Sequence, residues 1–370
     1  MKLHYNLQAV AIASSLSLLA TTEVYAKPVT YNFQEISHTS GNFKTLGVPV
    51  INNFGVVGFV GEQDVGGTQV LSSDGRTTNT IVDPSSQFSF IRDDVSINDA
   101  GTVAFIAAQN RQNPQKIGVY TSNGINLKTI ITTPTTDENG VGFRANSFEE
   151  VSINNAGIVA LIESISSRVQ TVLASDGNTT REVTGTTSPI LSNVQINDVG
   201  TVVYSYGPYG IYTGDINTTP PVAVPSENSE GKFNFVFSPS LNNTNTFAYV
   251  SGTVDTATNL ITESSVLLKR GNKTTTIADT KGKFQSFGTT SINSRGKVAF
   301  LANLDAGGEG IFTGNNPKTD KVIATGDSLL GYTVVDLNFA SEGLNEFGQI
   351  AFLAKLANNT QVVVRATPKL

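Results

Sequence analysis

One short phrase returns seven times along the chain, and it constrains the fold before any single residue suggests a chemistry. It reads roughly [IL]-N-x-x-G-x-[VI]-[AVG]-[FLY], with copies beginning at Ile51, Ile97, Ile153, Ile196, Leu241, Ile292 and Leu344. Its asparagines, Asn52, Asn98, Asn154, Asn197, Asn242, Asn293 and Asn345, lie 46, 56, 43, 45, 51 and 52 residues apart. A period near this length, built from short strand-like runs, is the mark of propeller blades.

The phrase has a mechanical reading without a ligand. Asparagine at the first place of a four-residue turn bonds its own backbone two residues on, and glycine at the fourth takes a positive φ. Asn98 to Gly101 is therefore a hairpin turn. The fifth copy has Asn245 in place of glycine, the residue next most tolerant of the left-handed region. The run Val103 to Ala107 that follows a copy is apolar on both faces, as a strand sandwiched between neighbouring blades must be.

A strand precedes each phrase and two more follow it, the last pair joined by turns such as S-D-G at Ser73 and Ser175 and S-N-G at Ser122. That makes four strands per unit. The seventh unit runs out after its third strand, Gln361 to Ala366, while the chain opens with an orphan strand near Val29 to Ile36. The orphan should complete the last blade and remove a free edge. The expected fold is all-β: a seven-bladed β-propeller of four-stranded blades, one domain over residues 27–370, closed by its N-terminal strand. Few charges, 34 glycines and no amphipathic helix agree with it.

Residues 1–26 read differently. Lys2 and His4 precede an apolar run from Leu7 to about Ala20, and Val24-Tyr25-Ala26 has the small-x-small cleavage pattern of a secretory signal peptide. Cleavage after Ala26 predicts a secreted, periplasmic or extracellular protein, stabilised without disulfides since cysteine is absent. No later stretch is apolar and long enough to insert in a membrane, and a monomer is expected.

The repeated phrase resembles the defining motif of bacterial secreted proteins with tandem NxxGxxAF repeats, known especially from cyanobacteria. Five copies, at Asn52, Asn98, Asn197, Asn293 and Asn345, keep asparagine, glycine and a final aromatic together. The copy at Asn154 departs by ending in Leu161, and the C-terminal sorting anchor that many such proteins carry is not expected here. The resemblance implies a bacterial origin and an exported location, and no activity.

Composition narrows the chemistry. The net charge is −6 both with and without residues 1–26, and there is no basic run, so nucleic acid and anionic membrane are poor partners. One histidine, His38, remains after cleavage; zinc, Cys-His and multi-histidine sites are excluded, and no phosphate-binding glycine loop opens a helix. No cofactor is expected. Loop-bound calcium is the one metal with candidate ligands, in D-E-N-G at Asp137 and D-A-G-G-E at Asp305.

The N-x-x-G and S-D-G turns share one face of such a ring, and loops of varied length and charge share the other. Variable loops on a rigid scaffold are where function resides. On that face the sequence offers two groups of ligand-binding candidates. Arg92 and Asp94 of the second blade, with Asp93, lie beside Glu149 and Glu150 of the third and match Asn193 of the fourth, forming a polar mouth to the channel. Tyr206 and Tyr209, with Tyr204 and Tyr212, surround a Y-G-P-Y-G loop and offer rings suited to stacking on sugars. These features predict a non-enzymatic binding propeller for a polysaccharide or a protein. The alternative is a carbohydrate-active lyase or hydrolase using Tyr, Arg and carboxylates at the channel mouth.

Overall fold

The computed structural model describes residues 28–369, apart from 84–86, 110–115, 134–146, 167–168, 185–189, 216–217, 226–227, 230–231 and 259. Residues 1–26, read from the sequence as a signal peptide, and Asp137 lie outside the described residues. Each repeat folds into an antiparallel sheet, and the seven sheets form a ring, a seven-bladed β-propeller. We number the blades by their asparagines, from blade 1 at Asn52 to blade 7 at Asn345. Blade 2 is typical: inner strand Phe88–Ile97, then Val103–Gln109, Ile117–Ser122 and the outer Leu127–Thr132, paired in that order.

Closure follows the expectation. The first strand, Tyr31–His38, pairs antiparallel with Gln361–Pro368 as the outer strand of blade 7, with Phe33 opposite Ala366. Side chains tie the seam to blade 1. Gln34 Nε2 donates to the Gly75 carbonyl at 2.9 Å, and the Arg365 guanidinium reaches both Gln34 Oε1 and the Gly55 carbonyl.

The second strand of each blade is buried on both faces because neighbouring sheets cover it. Val103 to Ala107 are almost wholly inaccessible. The core accordingly lies between blades. Val60 and Val70 of blade 1 pack with Phe88, Phe105 and Tyr120 of blade 2, while Ala104 and Ile106 of blade 2 pack with Phe148 and Leu161 of blade 3. Burial of this kind, at roughly 25 cal/mol per Å2, holds one blade to the next with no directional bond required.

The N-x-x-G turns supply the directional bonds. In blade 1, Asn52 Oδ1 accepts the N–H groups of Phe54 (3.1 Å) and Val56 (2.9 Å), and Gly55 adopts φ +77°. The exceptional Asn245 is at φ +54°, in the conformation its glycine counterparts take. The other half of each amide reaches out of its blade. Nδ2 donates from Asn52 to the carbonyl of Asn98, and so on through Asn154, Asn197, Asn242, Asn293 and Asn345, which returns to the carbonyl of Asn52. The seven asparagines thus form a closed, buried hydrogen-bonded ring with distances of 2.9–3.2 Å. Each amide has one acceptor and two donors, and a turn followed by a neighbouring carbonyl uses both kinds.

One departure from the sequence reading concerns blade 1, whose inner strand is broken into Phe43–Leu46 and Val50–Ile51. Pro49 has no N–H for the ladder, but Pro239 at the same place in blade 5 lies within a continuous strand, Lys232–Leu241, so proline alone does not account for the break.

Candidate functional site

Among the described residues, two cavities lie in the lumen of the ring. The inner strands that wall it carry irregularities of register, between Ile91 and Val95 in blade 2, Phe148 and Val151 in blade 3, Ser192 and Gln195 in blade 4, and Phe237 and Ser240 in blade 5. A bulge leaves an N–H without its ladder partner and redirects a side chain. In blades 2, 3 and 5 the residue at the fault supplies the remedy for the next blade. Asp94 Oδ2 accepts the N–H of Val151 (2.9 Å), Glu150 Oε2 that of Val194 (3.0 Å), and Ser238 Oγ that of Thr290 (3.3 Å). Asn193 and Ser238, at the corresponding places, have positive φ of 55° and 52°.

A second tier lies two residues nearer the Asn face. Ser96, Ser152, Ser240 and Ser291 each accept, through Oγ, the N–H of the residue preceding the next blade's asparagine. Blade 4 has Gln195 at this position; its Oε1 accepts the N–H of Leu241 at 2.8 Å.

Between the tiers stands Glu342, which the sequence reading did not single out. It belongs to blade 7, three residues before Asn345, where the other copies have Pro49, Val95, Val151, Val194, Pro239 and Thr290. Its carboxylate crosses the lumen to blades 2 and 3, accepting the hydroxyls of Ser96 and Ser152 at 2.6 Å each. Burial pushes it up to about 7, against the pull of the two serines. Glu342, with Ser341, lines both cavities. Aligning the seven phrases and looking three places upstream would have exposed it, since no other copy has an acid there.

The cavity on the loop face measures about 300 Å3 and joins Asp94, Glu150, Asn193, Ser238, Thr289 and Glu342 to apolar walls that include Val48, Val151 and Phe339. Asp94 is exposed on the lumen side; its carboxyl is raised, chiefly by desolvation from the surrounding lumen wall, with the Val151 N–H opposing this, the charges of Glu150 and Glu342 reinforcing it, and Arg92 opposing it. Glu150 is raised by burial too, against its backbone N–H partners. Asp94 and Glu150 therefore come together as the sequence suggested, with one carboxylate oxygen of each committed to the neighbouring blade.

The remaining candidates lie elsewhere on the same face. Arg92 Nη1 is 2.9 Å from Glu149 Oε2, a half-exposed pair bridging blades 2 and 3 outside the cavity lining. Burial opposes ionisation of Glu149, but Ser147, Arg92 and Ser164 outweigh it and hold the carboxyl below the usual range. Tyr206 ends the second strand of blade 4 and Tyr209 lies in the 3-10 turn that follows. Their ring centroids are 5.1 Å apart, Tyr212 packs 5.8 Å from Tyr206, and Tyr209 remains 54% exposed. These tyrosines form a cluster of their own and do not line the cavity. Asp305 sits on an exposed hairpin tip, and among the described residues no group of three or more His, Asp or Glu is placed to hold a metal.

Comparison with known proteins locates the chain by family and fold. The sequence matches a family of unknown function, DUF7453, over residues 34–363. No curated protein matches it. Among solved structures it is similar to an oligogalacturonate lyase in complex with manganese, at 11% identity and a TM-score of 0.55, over 92% of this chain and 97% of that one. A puromycin-hydrolyzing peptidase of Mycobacterium tuberculosis has 11% identity and a TM-score of 0.54 over 92% of this chain and 56% of that one. One of two prolyl endopeptidases has 10% identity and a TM-score of 0.51, over 89% and 51% of the respective chains. Likenesses at this identity establish the propeller fold alone.

Proposed function

The chain belongs to this family of unknown function, and on that footing we propose that it is an exported, non-enzymatic binding propeller of a bacterial envelope or exterior, acting as a monomer. Its partner is a polysaccharide or a protein, engaged by the loop face. The observation that supports this reading is the asymmetry of the two faces. Hydrogen-bonded turns of one design ring the Asn face, whereas the loop face has a cavity of about 300 Å3 with polar groups from several blades and an exposed tyrosine cluster on blade 4. A cavity of that size with mixed walls is at the lower end of sites that enclose a ligand. Tyr206 and Tyr209 supply the platform, and Arg92, Asp94 and Glu150 the polar contacts.

A glycan array probed with the chain beginning at Lys27 tests the reading. Tyr206→Ala with Tyr209→Ala should abolish capture of whichever polysaccharide the array identifies, with the melting temperature nearly unchanged. Full capture by the folded double variant removes the tyrosines from the site. No capture by the parent chain leaves a protein partner.

One observation favours a carbohydrate-active enzyme as the second reading. Asp94 is raised and Glu149 lowered on adjoining blades, the divergence that separates a general acid from a base. Against it, Glu149 is held by Arg92 and two serines outside the cavity that Asp94 lines.

A further inference from the structure

The Asn-face cavity, about 140 Å3, is separate from the site proposed above. Its walls are hydrogen-bonded almost to completion. Asp99 Oδ2 holds the amides of Asn53 and Asn155, and Asp198 Oδ2 those of Asn155 and Asn243. One group breaks the pattern. Gln195 lines this cavity, is only 4% exposed, and its Nε2 has no hydrogen-bond partner. The scaffold needs only an acceptor at this position, and Ser96, Ser152, Ser240 and Ser291 provide one with a single hydroxyl. Gln195 provides the same acceptor and adds a buried donor, which costs free energy unless an oxygen meets it.

The turns around this cavity carry a second irregularity. Their third residues are Phe54, Ala100, Ala156, Val199, Thr244, Arg295 and Phe347. Phe54 and Phe347 are on adjoining blades, whose turns are joined by the bond from Glu346 N–H to Asn53 Oδ1, and they are 77% and 64% exposed. Two phenylalanines left in water on neighbouring turn tips mark a contact surface.

We propose that the Asn-face cavity, together with Phe54 and Phe347 on turn tips outside its lining, forms a second ligand site, which takes the terminal residue of a neutral glycan. Each alternative fails on a named group. An anion meets the fixed carboxylates of Asp99 and Asp198 at the mouth, and a cation meets the unpaired N–H of Gln195 at depth. A neutral sugar satisfies both, donating its hydroxyls to the acid rim and accepting from Gln195 while its apolar face lies on the rings. About 140 Å3 is less than the roughly 300–1,000 Å3 that encloses a drug-sized ligand, so the site takes one residue and not a chain.

The test is titration of the chain from Lys27 with a panel of neutral methyl glycosides, followed by saturation-transfer NMR. At least one glycoside should bind in the millimolar range. Gln195→Ser, which installs the residue of blades 2, 3, 5 and 6, should weaken it by about fivefold, and Phe54→Ala with Phe347→Ala by at least as much, each without a change in melting temperature. Tyr206→Ala with Tyr209→Ala should leave it unaltered, which separates this site from the loop-face one. Absence of binding by every glycoside, or undiminished binding by folded Gln195→Ser, overturns the proposal. So does phenylalanine-dependent sedimentation with phosphatidylcholine vesicles in place of sugar binding.

Discussion

Replacing Asn154 by alanine should destabilise the propeller by ~2–4 kcal/mol, far more than the loss of one polar side chain on a turn. Asn154 is 3% exposed, and its amide does three things. Oδ1 accepts the N–H groups of Ala156 (3.1 Å) and Ile158 (3.0 Å), and Nδ2 donates to the Asn197 carbonyl of blade 4 (3.1 Å). Ala156 is exposed and finds water when the side chain goes. Ile158 is partly enclosed and pays the larger share of about 1–3 kcal/mol for an unsatisfied N–H. The Asn197 carbonyl keeps the N–H of Gly200 (3.1 Å), so its loss is near 1 kcal/mol. Urea unfolding followed by far-UV circular dichroism reads the effect, with Asn178→Ala, on an exposed turn, as the control within about 0.5 kcal/mol of the parent. Equal midpoints for the two variants would refute the claim that the ring stabilises the fold.

Three further outcomes are expected. Gly101, at φ +75° with no atom within 4 Å of an added Cβ, isolates backbone strain, so Gly101→Val should cost ~1–3 kcal/mol more than Gly101→Asn in denaturant midpoint; Gly75 is unsuited to the comparison because a Cβ there would lie 2.3 Å from Gln34 Nε2. Deleting residues 27–37 strips the outer strand from blade 7, and the truncated chain should melt well below the parent or aggregate on a calorimetric scan; an unchanged melting temperature sinks the closure. Glu342 binds its proton more tightly folded than unfolded, so its contribution to stability is full below its ordinary 4.5 and is lost as pH rises through about 7. The difference corresponds to ~3 kcal/mol in a dry site, reduced to about 1–2 kcal/mol by water in the lumen, and Glu342→Gln should flatten that decline in melting temperature between pH 4 and 8.

The fold was legible because each blade repeats one local solution: asparagine and glycine at fixed places of a turn, then a strand apolar on both faces. Those signals are local and survive without a partner. Closure was legible for a different reason, as a missing strand at one end matched a surplus strand at the other. What could not be read was the lateral use of the same residues. Nothing within a single phrase says that Asn52 Nδ2 meets the carbonyl of Asn98 or that Ser96 caps Ile153, since those bonds exist only once seven blades form a ring. The candidate site divides along the same line. Asp94 and Glu150 were found from their matching positions in consecutive blades, and the structure adds that each is also an inter-blade acceptor. Glu342 stands out as the one acid three places before the repeated asparagine, but its contacts with Ser96 and Ser152, from blade 7 past blade 1 to blades 2 and 3, are encoded by no linear pattern.

The proposal of binding without turnover is tested most directly by incubating the chain from Lys27 with the polysaccharide that the glycan array identifies, then sizing the polymer and counting new reducing or unsaturated ends. The binding account predicts that the polymer is retained by the protein at its original length and with no new ends, however long the incubation. Shortening of the polymer that Asp94→Asn abolishes, in a variant that still folds and binds, would contradict it and assign the loop-face cavity to catalysis.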